Sequence, residues 1–439
     1  MRDRRQVLFM LVVAYGGFYT CRANVDAALP LLAMSFGFTK TELGLLSSIP
    51  IACYAVGKLV TGALGDVIGG RRLIVIAAFG SVLATLAFGA SSALGAFIVF
   101  ASMNRIFQSG GWSGAVDVVA HHFDRPHHGR VMGVLSTSYE LGNVVAILLC
   151  SAITATLPGF RPLFVINPIL LAGIGLLAGR ILSDPPRRPT PRGLAVAPVG
   201  ARADPFSTDA TSVVTHDTSI AIDDSSMGAV LRVLATQPAF WIVVLLSALL
   251  TFLRIGFLTW TPTYLYEVSR AAGHAAVSGS IAKSAIFPAA GVVSAMSVGA
   301  ISDRFGPGRR APVMAVSLAV VVVVVLTLAH GGVRSPIAAA VLIGAAGLFL
   351  LGPYSLLAGA IALDVSGKRG AATASGVIDS AGYLGATASG VVLGAVAEAR
   401  GWSGAFDVVA GAALAAALAA GAWALAVVRS PKRAATHPS

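Results

Sequence analysis

Twelve stretches of this chain are each apolar over about the length that crosses a lipid bilayer. A membrane helix needs about 20 predominantly apolar residues. Windows of that size mark blocks near 7–32, 43–65, 73–90, 93–119, 130–156, 162–182, 238–264, 276–301, 312–330, 336–362, 370–397 and 402–428. In hydrocarbon every backbone N–H and C=O must be satisfied internally, so segments of this kind are helices. Only 11% of the residues are charged, against about 25% in soluble domains. A soluble enzyme is thereby excluded. The expected fold is an all-α integral membrane protein of twelve transmembrane helices. Met1-Arg-Asp-Arg-Arg-Gln precedes the first block. That block is too long for a signal peptide and lacks a small-residue cleavage site, so it reads as a retained helix.

The blocks divide six and six. Between them lies a polar stretch, 183–237, that opens with Pro185-Pro-Arg-Arg-Pro-Thr-Pro-Arg192 and continues rich in Asp, Ser and Thr. Such a stretch has little to pack and reads as a linker. The expected organisation is a six-helix bundle over 1–182, a cytoplasmic linker over 183–237, and a second bundle with its tail over 238–439. Lys and Arg set the orientation. Segments on the side of the termini hold 21 of them, with Arg180 at the margin of the linker included; the other side holds five, Lys40, Arg161, Arg270, Arg334 and Arg400. Both termini and the linker are expected in the cytoplasm. The net charge of +12 is then mostly topology and calls for no nucleic-acid partner.

Cys21, Cys53 and Cys150 all fall inside apolar blocks, which gives neither a disulfide framework nor a metal set. His121-His122 and His127-His128 flank Asp124 and read as a solvated basic loop. No cofactor and no metal are expected.

The halves repeat each other. Gly62-Ala-Leu-Gly-Asp66-Val-Ile-Gly-Gly-Arg71-Arg72 follows the second block, and Gly299-Ala-Ile-Ser-Asp303-Arg-Phe-Gly-Pro-Gly-Arg309-Arg310 follows the eighth. Arg22 precedes Pro30 by eight residues, as Arg254 precedes Pro262. Gly133–Gly142 parallels Gly376–Gly385. Repeats of this kind build transporters whose substrate sits at the midplane between them. The Asp-x-x-Gly-x-Arg-Arg loop resembles the signature of the major facilitator superfamily. Asp66, Arg71, Asp303 and Arg309 are therefore read as a conformational latch on the side of the termini.

Within that superfamily the chain resembles the organophosphate:phosphate antiporters, which include the glycerol-3-phosphate and hexose-phosphate transporters. The residues that carry the likeness are Tyr15-Gly-Gly-Phe-Tyr19-Thr-Cys-Arg22 with Asn24 and Pro30; Tyr54-Ala-Val-Gly-Lys58; Phe107-Gln108 with Gly111-Trp112; Leu253-Arg254 through Leu265; and Lys368 through Gly376 with Gly382-Tyr383-Leu-Gly385. The likeness implies substrate contacts for Arg22, Arg254, Tyr15, Tyr19 and Tyr383, with Trp112 near the substrate. The chain also departs from the pattern. Gly142 stands where close relatives carry a substrate-contacting histidine, with Glu140 nearby. Arg105 stands where they carry a glycine. Asn104-Arg105 with Gln108 resembles instead a pattern of proton-coupled carriers.

The residues themselves point to the same site. Tyr15, Tyr19, Arg22 and Asp26 form one helical stripe, and a charged stripe does not face lipid. Arg254 holds the equivalent place in the other half. A guanidinium stays charged and takes phosphate or carboxylate in a two-pronged fork, so one arginine from each half makes an anion clamp. The competing reading is a local pair between Arg22 and Asp26. Lys58 is a third cation for the anion or the partner of an acid on another helix. Lys283 lies nearer the outer end and touches substrate or snorkels to the interface. Asp26, Asp117, Glu140 and Asp379 neutralise the cations, bind protons or contact substrate; Arg105, Asp117 and Glu140 are the candidates for proton coupling.

The expected function is secondary transport of a small organic anion by alternating access: a phosphorylated or phosphonate-like metabolite exchanged for inorganic phosphate. The alternatives are a proton-coupled importer of an organic carboxylate and an anion sensor without net transport. The expected setting is the bacterial inner membrane, as a monomer, with the lipid bilayer and the small anion, inorganic phosphate or protons as its only partners.

Overall fold

In the computed structural model, residues 4–123, 128–183, 234–274, 276–305, 310–357 and 361–429 are described. Within helices, the side chains at 59, 62, 63, 65–67, 128–130, 299–305, 362–373 and 426–429 fall outside that description. The structure is all-helical among the described residues. The first half comprises α1 (Arg4–Gly17), a 3-10 turn (Phe18–Cys21), α2 (Ala23–Phe36), α3 (Lys40–Ile68), α4 (Gly70–Ala90), α5 (Leu94–His122), α6 (His128–Thr156) and α7 (Leu163–Ile181). The second comprises α8 (Pro238–Ala271), α9 (Val277–Ser284), α10 (Ile286–Phe305), α11 (Arg310–His330), α12 (Pro336–Leu356) and α13 (Ala362–Arg429).

These elements make the twelve expected spans, with three differences in how they are built. The first span is broken, α1 and α2 being joined through the 3-10 turn. The eighth is likewise two pieces, α9 and α10. The eleventh and twelfth are the two legs of α13, whose 68 residues would reach roughly 100 Å if straight. Gly401, at φ 73°, turns the chain between them, in a backbone region open to glycine at little cost. The linker 184–233, Asp124, His127, Arg309 and the C-terminal tail lie outside the described residues.

Outward faces carry Phe9, Leu83, Ile169 and Met296, all more than 60% exposed, as lipid-facing positions should be. Inside, small residues bring backbones together. A Cβ on Gly142 would lie 2.8 Å from the Gly16 Cα, so α6 crosses α1 with no room for a side chain.

The halves meet at the end opposite the termini. Lys40, at the start of α3, forms a 3.1 Å ion pair with Glu267 of α8, and the Trp402 indole donates to the same carboxylate at 2.7 Å. Beside them the Thr41 amide donates to Glu398 of α13 at 3.0 Å. One turn deeper, a Cβ on Gly44 would lie 2.5 Å from the Gly390 carbonyl oxygen, and the Val391 amide donates to the Ser48 hydroxyl at 2.9 Å. Between α6 and α9, Ser151 donates to the Ser278 carbonyl at 2.9 Å.

Candidate functional site

The break in the first span builds one side of the site. Where the helix loosens into the 3-10 turn, carbonyls lose their helical partners, and at membrane depth they need others. Three side chains supply them. Thr20 donates to the Gly17 carbonyl at 2.8 Å. From α5, Asn104 donates to the Cys21 carbonyl at 2.8 Å, and Gln108 donates to the Phe18 carbonyl at 3.2 Å. The oxygen of that same Gln108 carboxamide accepts from Arg22 Nε at 2.9 Å. The break and the arginine are thus held by one residue.

Arg22 is otherwise surrounded by phenols. Its Nη1 donates to the Tyr19 hydroxyl at 3.3 Å, and its guanidinium lies 4.7 Å from the Tyr19 ring and 4.8 Å from the Tyr54 ring. Arg254 sits alike in the other half, 5.4 Å from the Tyr139 ring and 5.1 Å from the Tyr354 ring. Aromatic faces favour a nearby cation without neutralising it.

The two arginines differ in their acids. Arg254, 4% exposed, donates to Glu140 Oε1 through Nε at 3.2 Å and Nη2 at 3.0 Å. Arg22 forms no ion pair among the described residues. The local pairing with Asp26 that the sequence spacing offers is not made: the Arg22 side chain turns onto Gln108 and the phenols. Asp26 instead faces Thr259 of α8 and the Arg105 charge, with Arg22 further in influence. Asp26 and Arg105 form no ion pair within 4 Å among the described residues.

Both arginines line one cavity between the halves. Tyr19, Asp26, Tyr54, Arg105, Asn143 and Tyr383 line it as well. Three guanidinium groups against the single carboxylate of Asp26 make the lining electropositive.

The remaining predicted residues are placed as follows. Tyr15 is buried behind Tyr19, 6.1 Å between ring centroids, and packs on Trp112 at 5.0 Å. Both stand one layer back from the cavity. Lys58 forms an ion pair with Asp379 of α13; its ammonium lies 4.7 Å from the Tyr383 ring and 5.4 Å from the Tyr54 ring. The pair flanks the cavity rather than lining it. Lys283, half-buried on α9, does not line it. Asp117 accepts from the Gly70 amide at 2.7 Å, at the N-terminus of α4, and lies 3.4 Å from His121. It is thus at the far end of α5 from the cavity, holding a helix start where a carboxylate is favoured. Arg71 donates through Nε to the Gly179 carbonyl of α7 at 2.8 Å. The side chains of Asp66 and Asp303, and all of Arg309, lie outside the described residues.

Asn143, which lines the cavity, was not singled out from sequence, and neither were the two rings against Arg254, Tyr139 and Tyr354. Each ring is a phenol in the middle of an apolar block. That signal marks a polar lining, though the second ring comes from a helix 100 residues from the arginine it faces.

Comparisons with known proteins agree with this architecture. The Major Facilitator Superfamily matches residues 8–390. The chain is 26% identical over 407 residues to the "Probable hexose phosphate transport protein" of Chlamydia pneumoniae, covering 92% of this chain and 87% of that one. It is 25% identical over 410 residues to the "Glycerol-3-phosphate transporter" of Bacillus subtilis (strain 168), covering 92% and 88%. Among solved structures, a bacterial homologue of the human lysosomal transporter Spinster, in an inward-facing and unoccupied conformation, superposes over the whole of both chains with a TM-score of 0.77 at 15% identity.

Proposed function

Because the chain belongs to the Major Facilitator Superfamily, a family of membrane transporters rather than enzymes, we propose that it carries small phosphorylated metabolites by alternating access. The single observation that carries this reading is the cavity lined at once by Arg22 of one half and Arg254 of the other. The resemblance to hexose-phosphate and glycerol-3-phosphate transporters over nearly the whole chain supports the substrate class.

Each arginine is oriented before substrate arrives, Arg22 by Gln108 and Arg254 by Glu140. A phosphate ester carries about −1.5 to −2 charges at pH 7 and three acceptor oxygens. It can therefore take a forked bond from each guanidinium, and in doing so it ties the two halves to one ligand. Tyr19, Tyr54 and Tyr383 add donors around the phosphate without adding charge. Inorganic phosphate fits the same donors, so exchange of a phosphate ester for phosphate needs no second site. Both termini and the linker face the cytoplasm in this reading, as the Lys and Arg distribution requires, in the inner membrane, with the monomer as the working unit. The contacts of Lys40, Thr41, Gly44 and Ser48 with the second half then close the outer side.

The test is transport in vesicles preloaded with phosphate, against phosphate esters, phosphonates and carboxylates. Uptake of phosphate esters in exchange for internal phosphate is expected. Uptake restricted to carboxylates would overturn the reading.

A further inference from the structure

Two of the cations around this site, Arg254 and Lys58, are already supplied with acids, and each of those acids comes from the opposite half. Glu140 of α6, in the first half, holds Arg254 of α8; Asp379 of α13, in the second half, holds Lys58 of α3. A carrier whose central cations faced one another bare would resist closing without an anion between them. Here the Glu140 carboxylate stands against Arg254 where that anion would, and the unloaded halves are drawn together by two ion pairs of opposite sense.

The geometry of Glu140 goes further. Both Arg254 bonds fall on Oε1; Oε2 is buried and has no hydrogen-bond partner among the described residues. The side chain is 5% exposed. Glu140 occupies the Nε–Nη2 edge of Arg254, and an anion that takes this fork displaces it. That would leave a buried carboxylate without its cation, a state costly enough that such groups neutralise instead.

Resting on the phosphate seat described above, we propose that Glu140 is a built-in substitute for the transported anion, so that the carrier returns empty and takes up its substrate together with a proton. The charges balance at each step. As the phosphate seats on Arg254, Glu140 leaves it and its carboxylate binds one proton from water on the entry side. When the phosphate departs on the other side, the proton leaves with it to water there, and Glu140 returns to Arg254. One proton crosses with each anion, and no covalent bond other than that of the proton changes. Exchange with phosphate remains open to the same molecule but is not obligatory.

The groups around the carboxyl are consistent with one proton site. Arg254 faces it directly. Tyr139 from α6, Tyr354 from α12 and Tyr383 from α13 surround the pair. The elements packed against α6 carry Tyr15, Tyr19, Arg22, Asp26 and Lys283 within the membrane, and Arg105 and Asp117 lie on α5. Ordinary phenols titrate near pH 10, so the tyrosines hold their protons at neutral pH. Asp26 is the other acid of the cavity, and Thr259 and Arg105 are its neighbours.

The experiment uses the full chain in proteoliposomes with labelled inorganic phosphate as probe and a pH dye inside. Two rates are read from one preparation: exchange against internal phosphate, and net uptake into vesicles with none. The expected result is both rates in the wild type. Net uptake rises at least tenfold when the outside is made acid, acidifies the interior in step with label, and falls to background with a protonophore. Glu140→Gln lowers net uptake at least tenfold more than it lowers exchange and removes the response to the gradient. If the wild type exchanges phosphate but shows no net uptake under any gradient, the inference is wrong and the phosphate reading stands. Net uptake in the wild type that carries no proton, or equal loss of both rates in Glu140→Gln with the response to the gradient retained, also overturns it. If neither phosphate nor phosphate esters move in either assay, the phosphate reading fails and the inference with it.

Discussion

The Gln108 carboxamide joins the break in the first span to the arginine beside it: its nitrogen donates to the Phe18 and Cys21 carbonyls, and its oxygen accepts from Arg22 Nε at 2.9 Å. A membrane helix can loosen only where something else takes up its freed carbonyls. Here the residue that does so also aims the guanidinium into the cavity.

Gln108→Leu keeps the volume and removes both functions. The buried carbonyls lose a donor, at a cost of about 1–3 kcal/mol, although Asn104 still serves Cys21. Thermal unfolding in detergent should fall accordingly. Phosphate affinity should fall by about tenfold or more, because Arg22 loses its orienting acceptor. Gln108→Glu is expected to bind phosphate worse still, since the new carboxylate would compete for Arg22. Unchanged affinity in both would show that Gln108 does not position the arginine.

The Lys58–Asp379 pair spans the halves, with side chains 15% and 32% exposed. Breaking a buried pair by removing one partner costs roughly 3–5 kcal/mol, while replacing both is often neutral. Partial exposure reduces the first figure. Lys58→Met and Asp379→Asn should each lower thermal stability by about 1–3 kcal/mol, and the double variant should regain most of it. A double-mutant cycle in detergent reads the coupling; additive losses would mean that the pair contributes nothing as a pair.

At the end opposite the termini, the backbones of Gly44 and Gly390 touch across the halves. A Cβ on Gly390 would lie 2.6 Å from the Gly44 carbonyl oxygen. Backbone on both sides leaves nothing flexible to move, so Gly390→Val should force this end apart. The expected readout is faster alkylation from outside of a cysteine placed at Leu258, a cavity-lining position, in a background free of native cysteines. Transport should fall at the same time. An unchanged alkylation rate would show that this contact does not control access.

Glu398, exposed in the turn between the eleventh and twelfth blocks, gives that closure a pH dependence. The Thr41 hydroxyl and amide both donate to it and hold its carboxyl below the ordinary glutamate range. The sign follows: these bonds contribute fully above the ordinary value near about 4.3 and are lost as pH falls through the lower closed-state value. Alkylation of the same Leu258→Cys probe, taken relative to a freely exposed cysteine at the same pH because only the thiolate reacts, should speed up below about pH 4.3, and Glu398→Gln should flatten that dependence. A profile untouched by Glu398→Gln would assign the titration elsewhere.

The apolar blocks and the internal repeat made the twelve spans and the pairing of Arg22 with Arg254 readable in advance, because hydropathy and spacing are local properties. What stayed hidden was set by contacts between distant parts of the chain. Glu140 and Arg254 are 114 residues apart, Lys58 and Asp379 321 apart, and nothing in either neighbourhood names the partner. Spacing offered Asp26 for Arg22. The structure gives Arg22 to Gln108 instead. Asp117, a polar outlier in an apolar block, turned out to hold the start of α4. Its position near the end of α5, next to His121, distinguishes it from the acids at the middle of the membrane.

The central claim is that Arg22 and Arg254 together hold the transported phosphate. The measurement that tests it most directly is exchange of labelled phosphate by reconstituted wild type, Arg22→Lys and Arg254→Lys. Lysine keeps the charge but loses the fork. The account predicts rapid exchange in the wild type and a loss of at least about tenfold in each variant, the worth of one charged hydrogen bond, with the folded protein recovered intact. Exchange that survives both substitutions at the wild-type rate would contradict it.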